Sequence, residues 1–306
     1  MRSRSIFAAG LAALLGLMLG PALSLAQEER EKSVIEKELA EGTGNLTKPD
    51  EGALNADVIA RDLANPNTPL ASLNLKFQVR TFDGSARHAE QQESLTVLLQ
   101  PTLPFPLPNK DIILFRPAIP LLIEQPVPSG PAFDSKTGLG DISFDLAYAT
   151  TTKSGLLLAT GIISSLPTAT SDDLGTEQWT LGPELLVGYL QKKYVMGIFP
   201  NHQWDVAGNG NRDVNLTTTQ VFGVYLPSGG WSVGTTPIIA YDWESEDWTV
   251  PLNVTAGRTL VLNGRPWKFS AELNYYVERS DTFGPQWMIG FTVTPVVENV
   301  MASWFQ

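Results

Sequence analysis

The 306-residue chain holds two histidines and no cysteine. Thiolate metal sites and cysteine nucleophiles are therefore excluded. A Ser-His-acid hydrolase needs a histidine facing a serine and a third group to orient the ring. His88 sits in the charge-rich stretch Asp83–Gln91, and His202 lies between Asn201 and Gln203. Neither has a persuasive serine partner, and neither shows a metal-type spacing such as His-x-x-x-His. The segment Asp205–Asp213 is rich in Gly, Asn and Asp, but it lacks the ligand spacing and the closing Glu of a calcium loop. It reads as a turn. Gly208-x-Gly210 is followed by no helix, so it is no phosphate loop. No enzyme activity and no cofactor is expected.

A different set of polar residues has regular spacing. Lys76, Gln78 and Arg80 recur at every second position, as do Asn201 and Gln203. The same phase collects Gln100, Arg116, Asp141, Asp145, Glu184, Asn253, Lys268, Glu272 and Asn274. Both charge signs occur. Such a set either pairs internally and stabilises the fold, or offers opposed charge ladders to a solute. Ala147, Gly182, Leu186, Gly188, Met288 and Gly290 share the polar face and would leave room for a small apolar solute.

These residues need strands to present them. Leu73, Leu75, Phe77 and Val79 alternate with Asn74, Lys76, Gln78 and Arg80. Trp267 through Val277 alternates likewise, giving each segment one apolar and one polar face. About twelve such segments are predicted, at 70–81, 92–105, 110–122, 139–150, 154–165, 178–190, 193–205, 214–226, 230–242, 248–258, 265–277 and 285–297. An even count returns both chain ends to one side of a barrel. Short connections (Thr151–Lys153, Gln191–Lys192, Pro227–Ser228–Gly229) alternate with longer polar ones (Asp83–Gln91, Gln125–Lys136, Pro167–Glu177, Ala207–Asp213). Arg258–Arg265 is a long connection where a short one is expected, and Glu244–Asp247 is the reverse. Trp179, Trp204, Trp231, Trp243, Trp248, Trp267 and Trp287 fall near strand ends in phase with the apolar set. That is where amphipathic rings gather at a lipid–water boundary. His202 shares this outward phase. Pro101, Pro117, Pro120, Pro183, Pro200, Pro237, Pro251 and Pro295 each remove a ladder donor and are expected at bulges or strand ends.

Composition agrees. Charged residues are 17% of the chain and the net charge is −11, which argues against a nucleic-acid partner. Arg2 and Arg4 precede an apolar run from Ile6 to Leu25, and Ser24-Leu25-Ala26 predicts cleavage of a signal peptide before Gln27. Residues 27–69 read as a solvated periplasmic segment, partly helical or disordered, with a plug inside the barrel as the alternative. Residues 70–306 form the barrel. A soluble β-sandwich or propeller would share the alternation but would place its tryptophans in mid-strand.

The ordered motifs resemble one family. Leu63-Ala64-Asn65-Pro66, Gly138-Leu139-Gly140-Asp141, Leu166-Pro167-Thr168-Ala169-Thr170, Asn201-His202-Gln203-Trp204, Trp248-Thr249-Val250-Pro251-Leu252 and Gly284-Pro285-Gln286-Trp287 occur in its order. It is the Gram-negative outer-membrane family labelled meta-pathway of phenol degradation, also misnamed neuromedin U or transporter. The resemblance spans residues 63–297 and implies a barrel for uptake of aromatic or hydrophobic compounds; it carries over no site residues. The chain departs from the family in its Asn67-Thr68-Pro69 spacer and in its extension Glu298–Gln306, where Phe305 is penultimate.

The sequence thus predicts an all-β, transmembrane antiparallel barrel of about twelve strands in the outer membrane. Its expected partners are outer-membrane lipids, the barrel-assembly machinery and a small-molecule solute. Passive transport is the expected function. A structural barrel with a blocked lumen and a lipid-modifying barrel enzyme are the alternatives.

Overall fold

The computed structural model describes residues 56–210, 213–299 and 302. The signal peptide, residues 27–55 and the terminal Phe305-Gln306 lie outside the described residues. One helix, α1 (Ala56–Ala64), precedes β1 (Ser72–Asp83), β2 (Glu93–Pro106), β3 (Ile112–Ser129), β4 (Ala132–Leu139), β5 (Ile142–Thr151), β6 (Leu156–Leu166) and β7 (Gln178–Leu190). Then follow β8 (Tyr194–Gly208), β9 (Asn215–Tyr225), β10 (Trp231–Thr235), β11 (Ile238–Asp242), β12 (Asp247–Leu262), β13 (Arg265–Glu278) and β14 (Gly284–Pro295).

Each strand pairs antiparallel with at least one sequence neighbour, and β14 pairs back onto β1 through Leu75↔Val293 to Asp83↔Gly284. The sheet therefore closes. The segments β4 and β5 form one stave along β3, and β10 and β11 form one stave along β9. The fourteen segments thus make twelve staves, the number the alternation predicts.

Two connections differ from expectation. Pairing of β12 with β13 runs to Leu262↔Arg265, so most of the expected Arg258–Arg265 connection is strand. Only Asn263 (φ 52) and Gly264 (φ 75) turn the chain. Two consecutive positive φ values define the type I′ turn that Asn-Gly favours. At the other end, Gln125–Lys136 is no loop. β3 and β4 stay paired to Ser129↔Ala132 and form a projecting hairpin.

The prolines also differ from expectation. Pro251 does lie at a bulge and Pro295 ends its strand. Pro251 and five others gather at three seams. By register Pro101 stands opposite Pro117, where β2–β3 pairing lapses between Leu99↔Ile119 and Leu103↔Phe115. Pro183 and Pro200 lie where β7–β8 pairing thins. Pro237 and Pro251 lie where β10 and β11 face β12. Two missing donors in one seam cost the two staves shared rungs; scattered prolines would weaken more seams.

The outside of the barrel is apolar. On β7, Glu184 is 1% exposed, Leu185 52% and Leu186 2%. Leu146, Ile162, Leu181, Val187, Met196, Ile198, Leu252 and Val254 are similarly exposed around the wall. A belt of this extent in water would be a large aggregation surface; in lipid it is the expected exterior. Trp179, Trp204, Trp243, Trp248 and Trp287 ring the long-loop end, with Tyr275 against Trp287 at 4.6 Å. Trp231, Tyr189, Tyr194 and Tyr225 ring the short-turn end. Among the described residues no helix is long and apolar enough to cross a membrane.

The belt makes a direct prediction. Leu185→Arg places a guanidinium at mid-belt and is expected to lower stability in lipid by about 2–4 kcal/mol. The urea midpoint in phospholipid vesicles measures it. A water-exposed surface site would shift by less than about 0.5 kcal/mol.

Candidate functional site: a polar lumen with a folded segment in one mouth

The barrel encloses a cavity of about 400 Å³. Lys76, Gln78 and Arg80 of β1 line it, as do Arg116 of β3 and Lys268, Glu272 and Asn274 of β13. Alternation alone brings these residues to one interior, because β1 and β13 flank β14 and keep a common phase.

The interior polar groups are linked. The Arg80 guanidinium donates to Thr96 Oγ1 at 3.0 Å and to Gln78 Oε1 at 2.8 Å. Gln78 Nε2 donates to Glu272 Oε1 at 3.2 Å. Asn253 Nδ2 donates to Asn274 Oδ1 at 2.9 Å. Arg116 does more. Its Nε donates to Asp145 Oδ1 of β5 at 2.7 Å, and its guanidinium carbon lies 4.9 Å from the ring centre of Phe199 on β8. The staves holding β5, β6 and β7 separate β3 from β8, so the side chain reaches across the lumen. It is a crossbar, positioned by an ion pair and a cation–π contact.

Glu184 is 1% exposed and stands opposite Asn201 in the β7–β8 register. Gln100 keeps the inward phase, but its backbone carbonyl serves Asn74 Nδ2 at 2.9 Å and it does not line the cavity. Asp141 departs from the sequence expectation of a lumen position. It lies in the break between β4 and β5, outside the regular alternation. Its Oδ1 accepts the Thr168 and Ala169 amides at 3.1 Å, and its Oδ2 accepts the Thr176 amide at 2.7 Å. It clamps the 167–177 loop.

Residues 56–69 enter the short-turn mouth, where Leu63–Pro66 and Thr68 floor the cavity. Ile59 and Ala60 of α1 are buried. Asp57 accepts the Gly230 amide at 2.6 Å, tying α1 to the β9–β10 turn. The helix stops before Pro66, since the residue preceding proline disfavours helical dihedrals. Asn65 Oδ1 then accepts the Asn67 amide at 3.0 Å, and Asn67 Nδ2 donates to the Thr150 and Leu158 carbonyls at 2.9 and 3.2 Å. Ala64 packs on a small dry cluster of inward residues, Leu157, Leu186, Val195 and Phe222. At the long-loop mouth, Phe133 of the β3–β4 hairpin lies 4.5 Å from Phe283, which stacks on Phe82 at 4.7 Å.

Asn65 and Asn67 were legible in sequence only as chain breakers. The wall partners of Asn67, Thr150 and Leu158, are 83 and 91 residues away, and no local pattern records that. Phe199 and Phe222 share the polar phase, and that was their one available signal.

His202 faces outward at the long-loop girdle. Its Nδ1 lies 2.7 Å from Thr217 Oγ1, which also accepts the Trp243 indole at 2.9 Å, and its ring lies 4.1 Å from Trp204. Its Nε2 has no hydrogen-bond partner among the described residues. Nε2 is the atom that would face a serine in a Ser-His hydrolase. The arrangement is an interfacial hydrogen-bond cluster.

These features define a closed, lipid-facing β-barrel with a polar interior. Solved structures share the architecture. The crystal structure of an outer membrane channel from Pseudomonas putida F1 superposes with a TM-score of 0.59 at 13% identity, over 83% of this chain and 100% of that one. The NanC porin reaches 0.46 at 9% identity, covering 74% of this chain and 99% of its own. Outer membrane phospholipase A from Escherichia coli reaches 0.44 at 11%, covering 79% and 98%. The first establishes a shared fold; the other two overlaps are loose. No family model matches the chain, and no curated protein matches it.

Proposed function

We propose that this chain is an outer-membrane channel through which small solutes move passively. The observation that carries the reading is a cavity lined by both charge signs inside a wall whose outer face is apolar. The short turns and the 56–69 segment face the periplasm, and the longer loops face outward, as in bacterial barrels generally. Export by a cleaved signal peptide and insertion by the barrel-assembly machinery belong to the same reading. The solute is small, and aromatic or hydrophobic compounds suit the wall where Phe199, Phe222, Val224, Ile238 and Met288 interrupt the polar lining.

A second reading has one observation in its favour. Residues 56–69 fill a mouth and Arg116 spans the lumen, so the barrel would be structural if neither ever moved. Liposome swelling separates the two. Vesicles holding the purified barrel are expected to swell in a small sugar, and faster than protein-free vesicles. Equal rates would favour the blocked barrel. In a deletion strain, uptake of an aromatic solute is expected to fall; unchanged uptake would remove the aromatic assignment and leave the channel reading intact.

A further inference from the structure

The lumen does not share the charge of the chain. The full sequence carries a net −11. The cavity lining carries Lys76, Arg80, Arg116 and Lys268 against one carboxylate, Glu272. Arg116 is matched by Asp145 at 2.7 Å. Register puts Glu184 level with Ala147, one inward step from Asp145, so both of these carboxylates belong to the Arg116 wall. The other three cations lie on β1 and β13. Arg80 gives its hydrogen bonds to uncharged oxygens, Thr96 Oγ1 and Gln78 Oε1. Lys76 and Lys268 form no ion pair and no hydrogen bond with a described residue.

Strand register places the two lysines together. β14 runs between β13 and β1, and its inward residues serve as rungs. Thr294 has Lys268 on its β13 side, and its hydroxyl donates to Asn74 Oδ1 on β1 at 2.9 Å. On the next rung Thr292 stands between Ser270 and Lys76. The two ammonium groups thus occupy adjacent rungs on opposite sides of β14, with the Ser270 and Thr292 hydroxyls on the same patch. One rung further, Gly290 stands between Glu272 and Gln78. A Cβ at Gly290 would lie 2.5 Å from Glu272 Cγ, so the glycine is what lets the Glu272 side chain lie flat across β14. Its Oε1 then accepts Gln78 Nε2 at 3.2 Å. The carboxylate is directed to the glutamine and leaves both lysines without a partner.

An interior charge is costly unless something compensates it. Here the wall supplies no compensating group, so the counter-charge comes from solution. A cavity lined by one sign of charge concentrates the opposite ion. Lysine and arginine rings serve anion pores in this way. Opposite the patch the lining changes character. In a ring of twelve staves β8 stands diametrically across from β1, and it presents Phe199, with Phe222 beside it on β9. The enclosed volume, about 400 Å³, is that of a small-molecule site.

We propose that Lys76 and Lys268 form a binding site for the carboxylate of a small organic anion whose apolar body rests on Phe199 and Phe222. The site makes the lumen anion-selective and assigns small carboxylates with an apolar body as its preferred solutes. An inorganic anion engages only the lysines, and a neutral apolar molecule only the rings. The assignment deepens the channel reading and rests on the lumen being a conduit.

The whole protein is recorded in planar bilayers under a KCl gradient, beside Lys76→Met/Lys268→Met and Lys76→Arg/Lys268→Arg. The unaltered protein is expected to reverse on the chloride side. The methionine variant is expected to move toward potassium, and the arginine variant to keep the anion preference. Cyclohexanecarboxylate is expected to block the chloride current at several-fold lower concentration than acetate or the neutral cyclohexylmethanol, and the methionine variant to lose that advantage. An unmoved reversal potential in the methionine variant, or equal block by the two carboxylates, overturns the site. Saturation-transfer NMR of cyclohexanecarboxylate with the detergent-solubilised proteins reads occupancy without transport. Ring signals that are present with the unaltered protein and lost with the methionine variant, in a barrel that carries no current, keep the site and sink the conduit. Current with no preference among the three probes sinks the site alone.

Discussion

Removing residues 27–69 is expected to raise the unitary conductance of the barrel several-fold. The described part of that segment floors the cavity, and it is held there by named contacts. Ala64 sits on the Leu157, Leu186, Val195 and Phe222 cluster, and Asn67 grips two wall carbonyls. The barrel does not depend on it, since β1 closes onto both β2 and β14 without help from residues before Ala71. Planar-bilayer recording of both proteins at equal salt reads the change. Asn67→Ala is the milder variant. It removes two hydrogen bonds worth about 1 kcal/mol each and is expected to lengthen open times without reaching the conductance of the deletion. If the deletion conducts no better than the full chain, the segment is no obstruction.

The second large effect is at the crossbar. Arg116→Ala leaves Asp145 without its guanidinium in a wall position that is only 12% exposed. Losing one partner of a buried pair costs about 3–5 kcal/mol, because a carboxylate is left uncompensated. A midpoint drop in chemical denaturation measures that cost. The same change removes the group reaching to Phe199 and takes one positive charge from the lumen beside Asp145. Conductance is therefore expected to rise, and the reversal potential in a salt gradient to move toward cation selectivity. The double variant Arg116→Met/Asp145→Leu should recover the stability and show no cation preference. If the single variant keeps both its stability and its selectivity, Arg116 is not the constriction.

Most of the fold was legible. Period-two alternation is a backbone property, so β7 was placed at 178–190 from pattern alone. Tryptophan phase separated lipid from a dry protein core at Trp204 and Trp231. Interior residues followed wherever alternation was regular, as at Lys76, Arg80 and Glu272. It failed at Asp141, where the stave breaks between β4 and β5 and phase no longer predicts facing. Arg258 and Arg265 make the Asn263-Gly264 connection read as a longer loop, although the dipeptide itself is a strong hairpin signal. What no one-dimensional reading shows is which prolines meet. The encounter of Pro101 with Pro117 and the one-residue offset between Pro237 and Pro251 depend on register, and register is fixed by the closure of the whole sheet. The same holds for Arg116, whose aromatic partner lies four staves away.

A planar-bilayer recording of the unaltered protein bears most directly on the claim that this barrel carries solute through its interior. Discrete unitary current steps, present with the inserted protein and absent from lipid alone, are the predicted result. A silent bilayer, with insertion verified by protease protection, would contradict it.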